Sequence, residues 1–306
     1  MSIRYDGKVA IVTGSGGGLG RCHAIELARR GARVVVNDLG GSVDGTGAGS
    51  EAAQAVVAEI EAVGGEALAN GANVAKYDEV EAMVKQAMET WGRVDILVNN
   101  AGILRDKSFA KGSLDDFKLV LGVHLMGTVN CTKACWEIMR EQAYGRVVVT
   151  TSSSGLFGNF GQSNYGAAKM GVIGLMNTLA QEGTKYNIKI NALAPVAATR
   201  MTEGLMPEEV FNLLTPELVT PAVLFLVSED APTRTILGAG AGGFTVTRLV
   251  ESAGMWLPPD EQTPEGIAAN WDAIAATEGE THPQSGAEQT MKVVGLAMEG
   301  LGLAPE

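Results

Sequence analysis

One tyrosine and one lysine stand at helical spacing in the segment TSSSGLFGNFGQSNYGAAK, which covers residues 151–169. Tyr165 and Lys169 are four residues apart, so on a helix both side chains face one cleft. A phenol, with a pKa of about 10, is a poor base at neutral pH, whereas a neighbouring ammonium group stabilises phenolate and lowers that pKa. The pair therefore predicts a group that takes a proton from an alcohol or gives one to a carbonyl.

A serine precedes this pair at the end of an apolar run. Ser152 lies thirteen residues before Tyr165, where its hydroxyl would hold the substrate oxygen, and we select it over Ser153 and Ser154. The alternative interpretation is a serine-rich loop followed by an amphipathic helix that carries a surface lysine. A cofactor site elsewhere in the chain would favour the catalytic interpretation.

The segment TGSGGGLG, residues 13–20, follows the first apolar run and opens the first helical pattern. At such a junction glycines let the backbone approach a pyrophosphate, while the helix N-terminus offers free N–H groups and positive dipole charge. We therefore predict dinucleotide binding by Gly14, Gly18, Leu19 and Gly20, against the alternative of a purely structural turn.

Asp38 ends the second apolar run, eighteen residues after Gly20. A carboxylate there accepts hydrogen bonds from the ribose hydroxyls and repels a 2′-phosphate, so it favours NAD over NADP. No Arg or Lys precedes Gly20 within the glycine loop, which supports NAD. The alternative is a capping or turn residue at a strand end.

The segment NNAG, residues 99–102, closes the next long apolar run. Asparagine side chains there would lock neighbouring strands, while small residues leave room for the adenosine. We include Asn100, Ala101 and Gly102 in the cofactor site. Alone, the segment is an ordinary asparagine-glycine turn.

Strand and helix patterns alternate along most of the chain. Short apolar, β-branched runs indicate buried strands at residues 8–14, 32–38, 94–100, 145–152 and 188–195. Helical patterns lie at residues 19–30, 50–63, 78–91, 113–140 and 165–185, the fourth opened by the capping pair Ser113 and Asp116. This alternation predicts an α/β fold with a doubly wound parallel sheet.

The length of 306 residues fits one large domain, residues 1–250, with a helical extension, residues 251–306. The extension starts near a linker at 258–264 and contains two helical patterns, 264–277 and 285–299. Thr263 and Pro264 are expected to open the first helix, and Ser285 with Glu288 the second. A glycine-rich loop at 39–50 is longer than usual for a connection after a strand.

The net charge of −12 gives no basic surface for nucleic acid or anionic lipid. The chain shows no apolar run long enough to span a membrane and no signal peptide, so we expect a cytoplasmic protein. The cysteines match no metal spacing, and we expect no metal site: Cys22, Cys131 and Cys135.

Together, TGSGGGLG, NNAG, Ser152 and YGAAK resemble the short-chain dehydrogenase/reductase family over residues 5–247. The resemblance implies a Rossmann fold, a nicotinamide cofactor, catalysis by Ser152, Tyr165 and Lys169, and a homodimer or homotetramer. Tyr165 and Lys169 are also implied to contact the cofactor.

Three positions depart from the family pattern. His124 replaces the usual catalytic asparagine; it either preserves a proton relay or packs between helices. Asn73, beside Val74, replaces the acid that commonly contacts the adenine. The segment PVAATRM, residues 195–201, lacks the customary glycine, and Pro195 and Thr199 remain the expected contacts to the nicotinamide.

A narrower resemblance comes from NNAGILRDKSF, YGRVVVTTSSSGLFGNFGQSNYGAAK and PEGIAANW, which are similar to the (3R)-hydroxyacyl-CoA dehydrogenase part of peroxisomal multifunctional enzymes. It implies oxidation of a (3R)-hydroxyacyl-CoA by NAD. The alternatives are a steroid or other secondary-alcohol dehydrogenase and a non-enzymatic nucleotide-binding scaffold. An acyl-CoA needs a basic rim, for which Arg105, Lys107 and Lys111 are candidates, and residues 203–218 stand where the family has its substrate loop.

Overall fold

Apolar runs of the sequence form the inner strands of an eight-stranded sheet in the computed structural model, which describes residues 2–41, 44, 49, 51–197 and 207–303. The strand order is β3-β2-β1-β4-β5-β6-β7-β8. The strands are β1 Val9–Thr13, β2 Arg33–Asn37, β3 Glu66–Asn70, β4 Ile96–Asn99, β5 Gly145–Thr150, β6 Ile188–Pro195, β7 Ile236–Gly240 and β8 Gly243–Thr247.

Helices connect the strands. Their bounds are α1 Gly18–Arg29, α2 Glu51–Ala62, α3 Tyr77–Trp91, α4 Leu114–Leu121, α5 Gly127–Glu141, α6 Ser153–Phe157, α7 Ser163–Gly183, α8 Glu208–Leu213, α9 Thr220–Leu226, α10 Pro264–Ala269, α11 Trp271–Ile274 and α12 Gly286–Gly300. A π-helical turn, Gly122–Met126, joins α4 to α5, and short 3₁₀ turns occupy Thr184–Tyr186 and Pro216–Leu218.

The sheet is covered on both faces because its strands are apolar on both sides. Along β1, Val9 and Ile11 pack into a core with α3, α5 and α7, whereas Ala10 and Val12 pack into a second core with α1, α2 and α9. The pairs from β3 through β7 are all parallel. The predicted doubly wound parallel sheet is confirmed, and the carboxyl ends of these strands meet at one edge.

The structure adds three strands to the five that the apolar runs predict. β3 has the sequence EALAN and is only half-buried, so it lacks the long apolar side chains of a core strand. β7 and β8 are joined by Ala241 and Gly242, both with positive φ (+50° and +76°), as a two-residue hairpin turn requires. Glycine and alanine are uncommon in strands, so their presence here weakens the sequence pattern that would predict a strand.

Capping predictions are confirmed at three helix starts. Ser113 Oγ accepts a hydrogen bond from the backbone N–H of Asp116 at 3.0 Å, and Thr263 Oγ1 accepts from Gly266 at 3.0 Å. Ser285 Oγ accepts from Glu288 at 3.2 Å. The predicted helix 264–277 is two shorter helices, with Asn270 between them donating its side-chain amide to the Gly266 carbonyl.

The chain divides into two compact units, residues 1–246 and 247–306. The second unit contains α10, α11 and α12, together with a bridge between Glu251 and Thr281. Lys292 donates to the Ser252 carbonyl in the same unit. Among the residues described, no helix is both long enough and apolar enough to cross a bilayer.

Candidate active site

A cavity of about 320 Å³ lies at the carboxyl ends of the parallel strands. It gathers most of the residues that the sequence predicts to bind a cofactor or to act in catalysis: Gly14, Gly18, Leu19, Asp38, Asn73, Val74, Asn100, Ala101, Gly102, His124, Tyr165, Lys169 and Pro195. Gly20 and Ser152 are not part of its lining. Thr199 and residues 203–206, the start of the segment 203–218, lie outside the described residues.

The glycine loop wraps around the N-terminus of α1. Gly14 and Gly18 have φ of +62° and +51°, the left-handed region that glycine adopts without strain. Gly17 caps α1 without a side-chain hydrogen bond, so the N–H groups of the first turn remain directed at the cavity that Gly17, Gly18 and Leu19 line. This arrangement suits the phosphates of a dinucleotide.

Gly20 acts by packing inside the loop. A Cβ atom on Gly20 would lie 2.3 Å from the carbonyl oxygen of Gly14 and 2.6 Å from the side-chain nitrogen of Asn100. Only glycine allows this close approach of α1 to the loop. Its place behind the cavity wall explains why it does not line the cavity.

Asp38 is fixed by backbone donors on both sides. One carboxylate oxygen accepts from Gly16 N–H at 2.8 Å and the other from Gly40 N–H at 2.7 Å. Both bonds leave lone pairs on a carboxylate that lines the cavity. The side chain is therefore oriented before any ligand arrives.

Asn100 joins the end of β4 to the glycine loop. Its side-chain amide donates to the carbonyls of Thr13 at 3.0 Å and Gly14 at 2.9 Å, while Thr13 Oγ1 accepts from the backbone N–H groups of Asn100 and Ala101. A Cβ on Gly14 would lie 2.7 Å from Ala101 Cα, so the two segments are in direct contact. The expectation that asparagine locks neighbouring strands agrees with this geometry.

Tyr165 and Lys169 face the cavity from the first turns of α7. Lys169 Nζ lies 5.5 Å from the centroid of the Tyr165 ring and donates to the Thr150 carbonyl at 2.6 Å. Ser152 caps α6 by accepting from the backbone N–H of Ser154 at 3.2 Å, and its hydroxyl also interacts with the Tyr165 phenol. The three predicted catalytic side chains therefore converge.

Burial dominates the protonation of this group. Burial raises the pKa of Tyr165, and the negative charge of Asp106 acts in the same direction. The hydrogen bond with Ser152 opposes them, but the net shift is upward. Burial also lowers the pKa of Lys169 to about 7. Both shifts favour the neutral forms, because a charge loses hydration inside the protein.

His124 stands in the π-helical turn with its ring edge against Tyr165, at 5.0 Å between ring centroids and an interplanar angle of 88°. Its Nε2 atom lies 3.1 Å from the backbone nitrogen of Ile103 and 2.8 Å from the Ile103 carbonyl oxygen. Burial, helped by the charge of Lys169, lowers the pKa of His124 to about 3. The imidazole is therefore neutral at physiological pH, and it both packs against the phenol and anchors a loop.

Asn73 and Val74 also line the cavity. Asn73 is held by its own loop, since its side-chain oxygen accepts from Ala75 N–H at 3.0 Å. Val74 packs against Gly127, where a Cβ would come within 2.7 Å of the valine side chain. The Val74 carbonyl accepts a hydrogen bond from the Asn130 side chain at 2.9 Å.

The structure also identifies residues that the sequence reasoning missed. Thr150 ends β5, lines the cavity and holds Lys169 through its carbonyl. Asn37, Ala72, Ile103, Leu119 and Val123 complete other parts of the lining. Asn37, Ala72 and Thr150 lie at or just after strand ends, and this position could have indicated that they line the cavity. The helix residues reach the cavity only through long-range packing, which the sequence does not show.

One residue of the expected basic rim is already paired. Arg105 donates to the Asp44 carbonyl at 2.8 Å and forms an ion pair with Asp116 at 3.4 Å. Its charge is thus partly neutralised, which leaves Lys107 and Lys111 as the exposed cations of this segment. Across the described ranges, no group of three or more His, Cys, Asp or Glu residues is arranged to hold a metal ion.

The chain matches the family model for short chain dehydrogenase over residues 8–209. It is 46% identical over 298 residues to peroxisomal multifunctional enzyme A from Dictyostelium discoideum, covering 96% of this chain and 66% of that protein.

Two solved structures have the same fold. Full-length peroxisomal multifunctional enzyme type 2 from Drosophila melanogaster has a TM-score of 0.81 and 39% identity, over 98% of this chain and 51% of that one. A 7α-hydroxysteroid dehydrogenase complexed with NADH and 7-oxo glycochenodeoxycholic acid has a TM-score of 0.70 and 30% identity. The match covers 78% of this chain and 95% of that one. The chain thus spans 66% of the length of the Dictyostelium multifunctional enzyme and 51% of the length of the Drosophila one.

Proposed function

The chain belongs to the short-chain dehydrogenase family, whose members are oxidoreductases acting on hydroxyl groups, and we propose that it oxidises a (3R)-hydroxyacyl-CoA to the 3-ketoacyl-CoA with NAD. The observation that carries this proposal is the convergence of three side chains: Tyr165 and Lys169 line the cavity, and the Ser152 hydroxyl contacts the Tyr165 phenol. Proton exchange with an alcohol needs a positioned group that can accept the proton, and a phenol next to a hydroxyl and an amine is such a group.

The residues around the cavity suit a nicotinamide dinucleotide. The uncapped first turn of α1 and the positive-φ glycines, Gly14 and Gly18, offer N–H groups to a pyrophosphate. Asp38, fixed by two backbone donors, would accept from the ribose hydroxyls and repel a 2′-phosphate. These features support NAD over NADP.

In the proposed reaction, the Ser152 hydroxyl holds the substrate oxygen and Tyr165 takes the proton from it. Bound oxidised nicotinamide would supply the acceptor for the hydride that leaves the substrate's hydroxyl-bearing carbon, and it would add a positive charge near the phenol. That charge and the Ser152 hydrogen bond oppose the effect of burial on the pKa of Tyr165. Lys169, with a pKa of about 7, is partly charged at neutral pH and contributes in the same direction.

The acyl-CoA assignment is supported by the similarity to peroxisomal multifunctional enzymes. Lys107 and Lys111 are exposed on the loop after β4, where they could approach the phosphates of a CoA carrier. A steroid or other secondary alcohol is the second candidate, supported by the similarity to a 7α-hydroxysteroid dehydrogenase.

The proposal is tested by steady-state turnover with NAD and a panel of (3R)- and (3S)-hydroxyacyl-CoA esters, CoA-free hydroxy acids and steroid alcohols. We expect the (3R)-esters to be oxidised and their CoA-free analogues to be poor substrates. Faster oxidation of a free steroid alcohol than of any ester would favour the second candidate.

The catalytic assignment is tested by Tyr165→Phe, which removes only the phenol oxygen. We expect kcat to fall by about a thousandfold, a far larger effect than any change in the Kd for NAD. Tyr77→Phe is the matched control, since Tyr77 is exposed on α3. Full turnover by Tyr165→Phe would contradict the proposed mechanism.

A further inference from the structure

Three phenylalanine side chains are exposed on two loops beside the catalytic group. Phe160, Phe109 and Phe157 are 92%, 78% and 74% exposed, more than the phenylalanines elsewhere in the described chain. Such rings favour burial, and a group of them on one surface is typical of a binding site. We call Phe109, Phe157 and Phe160 the aromatic rim.

Hydrogen bonds join the two loops that carry the rim. The backbone N–H of Lys107 donates to the Gly161 carbonyl at 2.9 Å, and the Gln162 side chain donates to Asp106 at 2.6 Å. Asn164, in the first turn of α7, donates to the Arg105 carbonyl at 3.1 Å. Phe109 and Phe160 therefore lie within two residues of a direct backbone contact.

One of these loops connects the two catalytic hydroxyls. Phe157 ends α6, the helix that Ser152 caps, and Phe160 lies five residues before Tyr165. Gly158 and Gly161 turn this connection with φ of +81° and +84°. A substrate whose oxygen is held by Ser152 and Tyr165 therefore reacts next to the loop that carries two of the rings.

The rim has positive charge next to it. Lys107 and Lys111 are exposed on the first loop and form no ion pair within the part of the chain that the structure describes. An apolar surface with neighbouring cations complements a ligand that has an alkyl chain and anionic groups. A fatty acyl chain on a phosphate-bearing carrier has both properties.

We propose that the aromatic rim binds the alkyl chain of the acyl-CoA and makes the enzyme prefer long chains; this inference rests on the proposed function. A short acyl group reaches Ser152 and Tyr165 without covering the rim. A long one covers the rings, so the added methylenes increase kcat/KM only when the rings are present.

The test compares wild type with Phe109→Ser/Phe157→Ser/Phe160→Ser on a butyryl-length and a palmitoyl-length (3R)-hydroxyacyl-CoA. The triple variant should lose on the order of tenfold in kcat/KM for the long ester and little for the short one. Phe244→Ser is the matched control, because Phe244 is 51% exposed on β8, away from these loops. The Kd for NAD and the circular dichroism spectrum should match wild type for both variants.

Each contrary result has its own meaning. An equal loss for both esters, or no loss, overturns the assignment of the rim while the proposed function stands. A variant that dissociates in sedimentation velocity with its chain-length preference intact shows that the rim joins copies of the chain, which also overturns the assignment. Wild type that oxidises neither ester contradicts the proposed function itself, and the rim assignment with it.

Discussion

At the scale of single residues, the amine that we propose to act in catalysis is held in conditions that oppose its charge. Lys169 is buried, and burial lowers its pKa from 10.5 to about 7. The one hydrogen bond that its amine donates within the described structure goes to the Thr150 carbonyl, which does not compensate a full charge. The protein thus carries a destabilising lysine at the position where the proposed reaction needs an amine.

This predicts that Lys169→Met stabilises the fold while it abolishes turnover. Between pH 7 and 10.5 the unfolded state binds more protons at this side chain than the folded state, so wild-type stability rises with pH there. At neutral pH the variant should gain about 2 kcal/mol in the free energy of unfolding, after allowing for the lost hydrogen bond.

Urea unfolding at neutral and alkaline pH measures the effect. The advantage of Lys169→Met should shrink as the pH rises, whereas Lys133→Met, on an exposed position of α5, should show no such dependence. A variant that is less stable than wild type at both pH values would show that the amine is not destabilising.

His124 leads to a second prediction at this scale. With its pKa lowered to about 3, the imidazole is a weak base at neutral pH, and its contacts lead us to expect that it positions Tyr165 and the Ile103 segment. His124→Phe keeps a ring beside the phenol but removes the bonds to Ile103. We expect kcat to fall about tenfold with the pH profile unshifted; a lost ionisation in that profile would instead show proton transfer by His124.

At the scale of elements, the π-helical turn Gly122–Met126 determines where His124 points. The turn interrupts what the sequence predicts as one helix, residues 113–140, and places the imidazole against the end of β4. Gly102 provides the space for it, since a Cβ there would lie 2.3 Å from the ring carbon Cε1 of His124. The glycine of NNAG and the histidine of the turn thus depend on each other.

Gly102→Ala should therefore displace the His124 ring and, through it, Tyr165. We expect kcat to fall at least about tenfold and the free energy of unfolding to fall by about 1–3 kcal/mol, as for an overpacked core position. Gly122→Ala is the control, because it lies in the same turn with a helical φ of −58° and no atom within 4 Å of an added Cβ. Equal losses in both variants would exclude the ring displacement as the cause.

The sequence predicts elements well where burial determines them. β1, β2, β4, β5 and β6 are continuous apolar runs, and each of them was predicted. β3 is alanine-rich and half-buried, and a π-helical turn keeps the apolar periodicity of a helix, so neither has a distinct local pattern. Motif spacing predicts that Tyr165 and Lys169 face one cleft, and both line the cavity. The Asn100 bonds to Thr13 and Gly14, by contrast, depend on distant segments of the chain meeting.

At the scale of the whole molecule, two buried histidines couple folding to pH. His23 on α1 shares a hydrogen bond of 2.9 Å with Thr220 on α9, and its Nε2 atom has no partner among the described residues. Burial lowers the pKa of both His23 and His124 from 6.5 to about 3. Between these values the unfolded state binds more protons, so each residue reduces stability as the pH falls below 6.5.

His23→Gln should make the protein more resistant to acid. Glutamine is neutral at every pH and can keep a hydrogen bond to Thr220, so the variant should lose less stability than wild type between neutral pH and about pH 4.5, by about 1–2 kcal/mol. Urea unfolding at both pH values measures that difference, and the titrating carboxylates contribute equally to both proteins. His282→Gln is the control, since His282 is exposed in the C-terminal unit. If wild type and His23→Gln lost the same stability on acidification, the buried imidazole would not be a site of this coupling.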